Sequence, residues 1–344
     1  ELKEQLLVLK KDFQAQGKKD DPFELQYIID NFVRNPEIAC VPTDSIVLTV
    51  DKAAVLRSGM KLPHGKDSIP EKMHISLRGK RMLTKSEMMV YEMLAHHNWT
   101  RPLYMSTTLG GDNQAGLDNY LMLEGLAARI TPFNVGSGGT DSERMYDNFM
   151  RKFRYGNVAD PKVYVDQTVM RPCYTHRLRM AQLAQQLLME GKRDKALKVL
   201  QKCEQVLPPS QVPYEVWSLG IDTKKHLLMM PECYRELGKT KEAEAILKSV
   251  ADRALAYFDW YNSFSENRLS SMSGDIIQQY EILGMALDGL QACKSSSLIE
   301  NYKKRADVLA GTPAGRVLIS AMNARRAADA QRYLPEDAEE GAEY

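Results

Sequence analysis

The sequence lacks the long apolar runs and the charge imbalance that characterise membrane-spanning and nucleic-acid-binding proteins. No apolar stretch approaches the roughly 18 residues that suggest a membrane-spanning helix. The formal net charge of the 344 residues is +1, which favours neither nucleic acid nor an anionic membrane surface as a partner. Hydrophobic residues make up 44% of the chain and charged residues 26%, an ordinary composition for a globular protein. The length is sufficient for two domains with sizeable cores.

Cysteine is scarce and shows no metal-binding or redox spacing. The chain has five cysteines, which are widely spaced and include no C-x-x-C pair. Zinc ribbons and thioredoxin-like redox motifs are therefore excluded. Cys203 lies on the apolar face of a predicted helix, and we expect most of these thiols to be free and buried as small hydrophobic side chains.

The motifs of common catalytic and cofactor sites are also missing. There is no G-x-S-x-G nucleophile elbow and no H-E-x-x-H zinc motif. His96 and His97 are adjacent, so on a helix their side chains point about 100° apart and cannot easily bind one ion. The glycine-rich stretch 134–140, NVGSGGT, matches neither the dinucleotide-binding fingerprint nor the P-loop. The sequence thus predicts no catalytic residue, no metal and no cofactor.

Residues 84–108 form the best-defined unit of the first half. Thr84 and Glu87 have the spacing of a capping box, which satisfies two backbone N–H groups at a helix start. The predicted helix would pack through one face, made of Met89, Val90, Met93, Leu94 and His97. Pro102 disfavours helical backbone at the residue before it, and the strand-like stretch 103–108 follows. A helix that leads directly into a strand needs a sheet, so this half should mix helices and strands.

The remaining segments of the first half follow from the same periodicities. The patterns predict helices over 1–16, 22–33 and 116–123, a helix capped by Thr140 or Asp141, and strands over 45–50, 72–78 and 125–130. Residues 134–140 and 156–171 are expected to be irregular. The sequence therefore predicts an α+β domain over residues 1–170.

From Pro172 onward the strand-like alternation disappears and helical periodicity takes over. The pattern predicts helices over 174–190, 193–206, 273–292, 296–309 and 313–334. Two hairpins are expected, with turn glycines at Gly191 and Gly238 and small residues at Ala196 and Ala243, the spacing of tetratricopeptide repeats. The two turns are 47 residues apart rather than the repeat's usual length of about 34. We therefore predict an all-α, tetratricopeptide-like domain over 171–334, followed by an acidic, disordered tail over 335–344.

Several residues are candidates for structural or binding roles. Glu124 lies in an apolar stretch, where an ion pair with Arg101 or Arg129 is favoured over a role as a catalytic acid. We expect Arg101 and Glu124 to be partly buried and close together, or each to have another partner. Structural roles are assigned to Trp99, Arg101, Pro102, Tyr104, Glu124, Gly191, Ala196, Gly238 and Ala243.

Two groups are candidates for ligand binding. In the aromatic cluster 257–261, helical spacing places Phe258 and Tyr261 in the core. It leaves Tyr257 and Trp260 as residues that could stack on a sugar or a peptide. The backbone amides of Gly136, Ser137 and Gly138 form the second group, and a junction between the two domains is where we expect such a surface.

Three stretches together resemble one known family. They are NWTRPLY at 98–104, YLMLEGLAARITP at 120–132 and FRYGN at 153–157. They look like the extramembrane C-terminal part of bacterial membrane proteins of a protein O-mannosyltransferase-like family, which couple a multi-spanning glycosyltransferase half to tetratricopeptide-like helices. The resemblance covers about residues 44–260. It carries over no catalytic residue, because the acid at the reaction centre of such enzymes belongs to the membrane half.

The resemblance implies a non-catalytic domain on the periplasmic face of a bacterial membrane, where it presents or recognises acceptor protein or glycan. Its partners would be that acceptor and the membrane half of the same polypeptide, with no nucleic acid. The absence of an initiator methionine before Glu1 suggests that the chain is a piece of a longer protein. Two alternatives are a free-standing helical-repeat module that binds a peptide in a groove and a soluble hydrolase, which the lack of a nucleophile or metal constellation disfavours.

Overall fold

A computed structural model describes residues 2–17, 21–63, 65–136, 138–215 and 227–332. The chain divides into two compact units, Glu1–Phe153 and Arg154–Tyr344. Every strand that the described residues form lies in the first unit, and the regular elements described in the second unit are helices. The predicted fold class, an α+β region followed by an all-helical region, is therefore confirmed. The predicted acidic tail over 335–344 lies outside the described residues.

The first unit carries two small antiparallel sheets. Its helices are α1 (Leu2–Ala15), α2 (Leu25–Ile28, continued by a π-helical turn, Ile29–Val33), α3 (Lys52–Arg57), α4 (Lys85–Ala95) and α5 (Ser142–Asp147). Strands β1 (Ser45–Thr49) and β2 (Lys72–Ser76) pair with Val47 opposite His74. Strands β3 (Tyr104–Ser106), β4 (Leu121–Leu123) and β5 (Ala127–Ile130) form the second sheet in the order β3-β5-β4. One apolar cluster, which includes Ile46, Ile75, Tyr91 and Trp99, joins both sheets to α4.

The structure corrects the predicted helix over 116–123. Residues Asp118–Tyr120 form a single 3-10 turn and the next three residues form β4. Met122 is buried and its neighbours are half-buried, which is the alternation of a strand whose one face meets the core. The reason is tertiary, because β4 pairs with β5, a segment that follows it in sequence, and the Leu123 N–H donates a 2.8 Å hydrogen bond to the carbonyl oxygen of Gly139 on its other side.

Helix α4 begins with the predicted capping box between Thr84 and Glu87, and its predicted buried face is correct only in part, since Leu94 is buried and Val90 packs against the core. The helix buries Glu87, Tyr91 and Leu94, whereas Met89 and Met93 are exposed. Apolar residues occur on both sides of this helix, so its periodicity alone is ambiguous. The Tyr91 hydroxyl decides the orientation, because it donates a buried 2.6 Å hydrogen bond to the carbonyl oxygen of Ala115.

The described residues of the second unit form helices, with turns and irregular segments such as 207–215 between them. These helices are α6 (Gln167–Met189), α7 (Arg193–Val206), α8 (Met229–Glu236), α9 (Thr240–Tyr261), α10 (Glu266–Ser271), α11 (Ser273–Ala292), α12 (Ser296–Leu309) and α13 (Pro313–Arg332). Helix α6 starts earlier than predicted, inside the segment expected to be irregular. Asp166 caps it by accepting a 2.7 Å hydrogen bond from the Val169 N–H, and the helix continues through Pro172.

Two helical hairpins turn at the expected glycines. Gly191 joins α6 to α7 with a φ of +74°, and Gly238 joins α8 to α9 with a φ of +77°. These values lie in the left-handed region, where a Cβ atom is disfavoured. Ala196 and Ala243, five residues after each turn, are completely buried, which lets the helices of each hairpin pack closely.

We expect Ala196→Leu to overpack the first hairpin and to lower the free energy of unfolding by about 1–3 kcal/mol. Lys198→Leu is the matched control, since Lys198 is an exposed residue of the same helix. Thermal and urea unfolding of the full chain would compare the two variants. Equal stability of both would show that Ala196 tolerates the larger side chain.

All five cysteines are free, and Cys173, Cys203 and Cys233 are buried. The prediction that most thiols are free and buried is confirmed. Burial raises the pKa of the Cys203 thiol to about 11, so this group is a protonated, apolar part of the helical core at neutral pH.

No helix within the described residues combines the length and the apolar character that a membrane crossing requires.

Candidate functional site

A buried cluster of charged side chains surrounds Glu124, at the turn between β4 and β5. The Glu124 side chain is 4% exposed and its Oε2 accepts a 2.6 Å hydrogen bond from the Tyr104 hydroxyl. The guanidinium of Arg129 lies 3.8 Å from Oε1, and that of Arg144 lies 3.5 Å from Oε2. The turn itself is closed by the Glu124 N–H, which donates to the carbonyl oxygen of Ala127 at 3.1 Å. Glu124 is therefore an internal anion held between two cations.

Arg129 connects this cluster to the aromatic side chains that precede β3. It is 2% exposed and donates a 3.3 Å hydrogen bond to the carbonyl oxygen of Ser58. Burial, together with the nearby positive charge of Arg129, lowers the pKa of His97. The His97 ring packs edge-on against the buried Trp99 indole, with the ring centroids 4.8 Å apart. His97 therefore remains neutral and is part of the packing at neutral pH.

The structure corrects the expected pairing of Glu124 with Arg101. Arg101 and Pro102 are both exposed, and Glu124 pairs with Arg129, the other partner that the sequence suggested. Trp99 explains this, because its φ of +59° turns the chain sharply while its indole enters the core. The residues just after Trp99 then follow the outside of the unit.

Tyr104 is the most exposed member of the cluster, with a side chain that reaches the surface on β3. Burial and the hydrogen bond to Glu124 raise the pKa of the Tyr104 hydroxyl. Because this hydroxyl stays protonated, it donates to the carboxylate. Sequence reasoning missed Arg144, which follows the α5 N-cap Asp141 and approaches Glu124 from a separate element.

Loop 134–140 does not offer all the free amides that its composition suggested. The Gly136 N–H donates a 2.8 Å hydrogen bond to the Asn134 side chain, so this amide is satisfied within the loop. Gly138 has a φ of +88°, and Ser137 lies outside the described residues. Asn134 also lines a groove of about 240 Å³ together with Tyr120, Phe133 and His74.

An exposed aromatic platform lies at the end of α9 in the second unit. Trp260 is 47% exposed, and its ring centroid lies 4.8 Å from that of Phe264 and 6.3 Å from that of Tyr257. The guanidinium of Arg268 lies over the Phe264 ring at 4.4 Å. Phe258 and Tyr261 are fully buried beneath, as their spacing predicted. We refer to Tyr257, Trp260, Phe264 and Arg268 as the aromatic platform.

The aromatic platform combines a flat apolar surface with a cation at its edge. Aromatic faces of this kind stack on the C–H face of a sugar or on an apolar side chain, and Arg268 can donate hydrogen bonds to hydroxyl or carboxylate oxygens. The sequence pointed to Tyr257 and Trp260 but not to Phe264 and Arg268, which follow the end of the helix. The two groups of sequence-predicted binding residues lie in different units, with Gly136 and Gly138 in the first and Tyr257 and Trp260 in the second.

A second polar network in the helical unit also escaped sequence reasoning. Glu204 accepts hydrogen bonds from the hydroxyls of Tyr214 at 3.0 Å and Tyr234 at 2.6 Å. The buried Arg177 donates to the carbonyl oxygens of Leu207 and Val212 at 2.7 and 2.6 Å. These bonds hold the segment after α7 against the first hairpin, and their partners are 10 to 35 residues apart in sequence.

Within the described ranges, no group of three or more His, Cys, Asp or Glu side chains could hold a metal ion. His96 Nδ1 instead lies 3.0 Å from the Glu92 carbonyl oxygen.

The first unit has a counterpart among known protein families. Residues 1–148 match the family model of TMEM260-associated domain 2. TMEM260 is a protein O-mannosyltransferase-like membrane protein, so the matched part of the chain is similar to an accessory domain of a glycosyltransferase-like membrane protein. The match ends one residue after α5, near the boundary of the first unit. No curated protein and no solved structure matches the chain.

Proposed function

We propose that this chain is a non-catalytic, extramembrane region of a glycosyltransferase-like membrane protein, and that it presents or recognises the acceptor protein or its glycan. The observation that carries the proposal is the match of residues 1–148 to TMEM260-associated domain 2. In this proposal the membrane half of the same polypeptide supplies the transfer chemistry. The assignment to the periplasmic side of a bacterial membrane rests on the sequence resemblance.

The buried charge cluster supports a structural role for the first unit. Glu124 is enclosed by Arg129, Arg144 and Tyr104, so its carboxylate lacks the access to substrate that a general acid needs. The cluster instead joins β3, the β4–β5 turn and α5. We interpret it as the support of a domain that positions other surfaces.

The aromatic platform is the proposed contact with the acceptor. Its indole is half-exposed although it lies among large aromatic rings, and it stands at the C-terminal end of a long helix. The two hairpins, with Gly191 and Gly238 at their turns, are proposed to be tetratricopeptide-like units that present this helix end.

We expect Trp260→Ala to weaken the binding of an acceptor peptide or short glycan by about tenfold or more, because a stacked aromatic contact is lost. Calorimetric titration of the full chain with O-mannosylated and unmodified peptides would measure this. Tyr280→Ala is the control, since Tyr280 is an exposed aromatic residue in the same unit. Equal affinity in wild type and Trp260→Ala would remove the platform from the site. Robust sugar transfer by this chain alone would overturn the proposed function.

A further inference from the structure

One exposed side of the first unit combines large apolar side chains with a run of cations. On α4, Met89 is 67% exposed and Met93 is 50% exposed, and Met82 in the preceding loop is 79% exposed. Methionine is among the residue types most often buried in globular proteins. The exposure of three methionines within twelve residues of sequence therefore indicates a surface that meets an apolar partner.

The cations come from the loop between β2 and α4 and from the first residue of α4, Lys85. Residues 78–85, RGKRMLTK, contain four basic residues and no acidic one. Lys80 pairs with the buried Glu87, and Arg78 lies 3.8 Å from Asp44. Arg81 and Lys85 are exposed, and within the described part of the chain neither forms an ion pair. These two charges are therefore available to an external anion.

Lys85 and two of the methionines share one side of α4. Residues four apart lie one above the other on a helix, so Lys85, Met89 and Met93 form a line along the outer side. Arg81 and Met82 stand immediately before the helix, whose N-cap is Thr84. We refer to Arg81, Met82, Lys85, Met89 and Met93 as the methionine face.

We infer that the methionine face lies against a membrane surface that carries anionic lipid. Flexible methionine side chains can enter the boundary between headgroups and acyl chains, as the apolar side of an interfacial helix does. Arg81 and Lys85 then meet the lipid phosphates, to which cations near an anionic surface are attracted. The net charge of +1 does not indicate this surface, because acidic residues elsewhere in the chain balance the local cluster of cations.

The surroundings of the methionine face fit this occupant. A groove of about 650 Å³ opens beside it and is lined by Lys80, Arg81, Met82, Leu83 and Met88, among others. Basic and apolar side chains predominate in its lining, and the acidic residue there, Asp44, pairs with Lys3, so the lining matches a lipid headgroup with the start of its acyl chains. The matched domain also accompanies a membrane protein, so a bilayer is the large surface that such a domain meets.

The test is co-flotation of the full chain with vesicles of phosphatidylcholine, with and without phosphatidylglycerol. We expect binding to the anionic vesicles that weakens as salt is added. Arg81→Gln/Lys85→Gln should lower the partition coefficient about 30-fold, since each removed charge loses its attraction to the surface. Met89→Gln/Met93→Gln should also reduce binding, because it removes the apolar contribution.

The matched control is Lys198→Gln/Met189→Gln, which removes an exposed lysine and a methionine that is 78% exposed in the other unit. It should bind like wild type. Circular dichroism would confirm that every variant is folded, which the surface positions favour. Binding of an acidic peptide to the full chain, in the absence of lipid, is measured as well.

The inference is supported if the wild type binds anionic vesicles, if both variants of the methionine face bind them less, and if the control variant binds them like the wild type. No binding, equal binding to both vesicle types, or equal loss in all variants would overturn it. Capture of the acidic peptide through Arg81 and Lys85 without vesicle binding would also overturn it, and would make the face a protein-docking surface. No acceptor is present in this assay, so its failure leaves the proposed acceptor recognition untouched.

Discussion

Arg129→Met should lower the free energy of unfolding of the first unit by about 3–5 kcal/mol, the usual consequence of removing one partner of a buried ion pair. The substitution leaves the Glu124 carboxylate buried without its nearest buried cation, since Arg129 is 2% exposed. Arg144 cannot replace it fully, because it approaches the other oxygen and is itself 34% exposed. Hydrogen exchange of core amides in residues 1–153, measured on the full chain, would report the loss locally.

Two further variants separate a missing charge partner from a missing side chain. The double variant Glu124→Leu/Arg129→Met removes both charges and should recover much of the stability, because apolar replacements of a buried pair are often neutral. Arg144→Met should cost less than Arg129→Met, since solvent partly screens that charge. If Arg129→Met and Arg144→Met were equally mild, the pair with Glu124 would not stabilise this unit.

Gly116→Ala should destabilise the first unit by at least about 2 kcal/mol, through backbone strain and a steric clash together. Gly116 has a φ of +70°, and a Cβ atom there would lie 2.6 Å from the carbonyl oxygen of Ser76 at the end of β2. The oxygen belongs to the backbone of a paired strand, so it cannot easily move away. The preceding Ala115 also has a positive φ of +54° and accepts the Tyr91 hydrogen bond, so any shift is transmitted to α4.

Substitutions at two other glycines separate the cost of backbone strain from the cost of the steric clash. Gly79 has a φ of +84° and open space around it, so Gly79→Ala should show the strain alone, about 1–2 kcal/mol. Gly111 has open space and no positive φ, so Gly111→Ala should be neutral or slightly stabilising. Urea unfolding of the three variants would rank them, and a Gly116→Ala that is no worse than Gly79→Ala would exclude the clash.

Sequence patterns located the elements best where the stabilising contacts are local. The predicted helices over 193–206, 273–292 and 296–309 agree with α7, α11 and α12, because helical hydrogen bonds and periodicity involve residues close in sequence. The strands over 45–50 and 72–78 were also found: the second alternates regularly with Met73 and Ile75 buried, and the first is a short apolar run whose residues 46–48 are all buried. Prediction was wrong at β4, where the partner strand had to be known first.

The candidate site residues were likewise predicted correctly where their contacts are local in sequence and missed where their contacts depend on the fold. Phe258 and Tyr261 were placed in the core by their spacing, and Arg129 was one of two proposed partners of Glu124, close to it across a tight turn. Phe264 and Arg268 were not found, because they follow α9 and return to Trp260 only through the fold. Arg101 was misplaced because the left-handed backbone of Trp99 could not be anticipated from the residue type.

The sequence by itself determined the division into an α+β and a helical region, the glycine turns at Gly191 and Gly238, and the capping box at Thr84. Each of these depends on a few neighbouring residues whose side chains or φ values select one local structure. Only the tertiary structure decided which side of α4 is buried, which arginine pairs with Glu124 and which aromatic rings remain exposed. Those outcomes depend on free-energy differences between alternative partners, such as Ala115 for Tyr91 and β5 for β4, which come together only when the chain has folded.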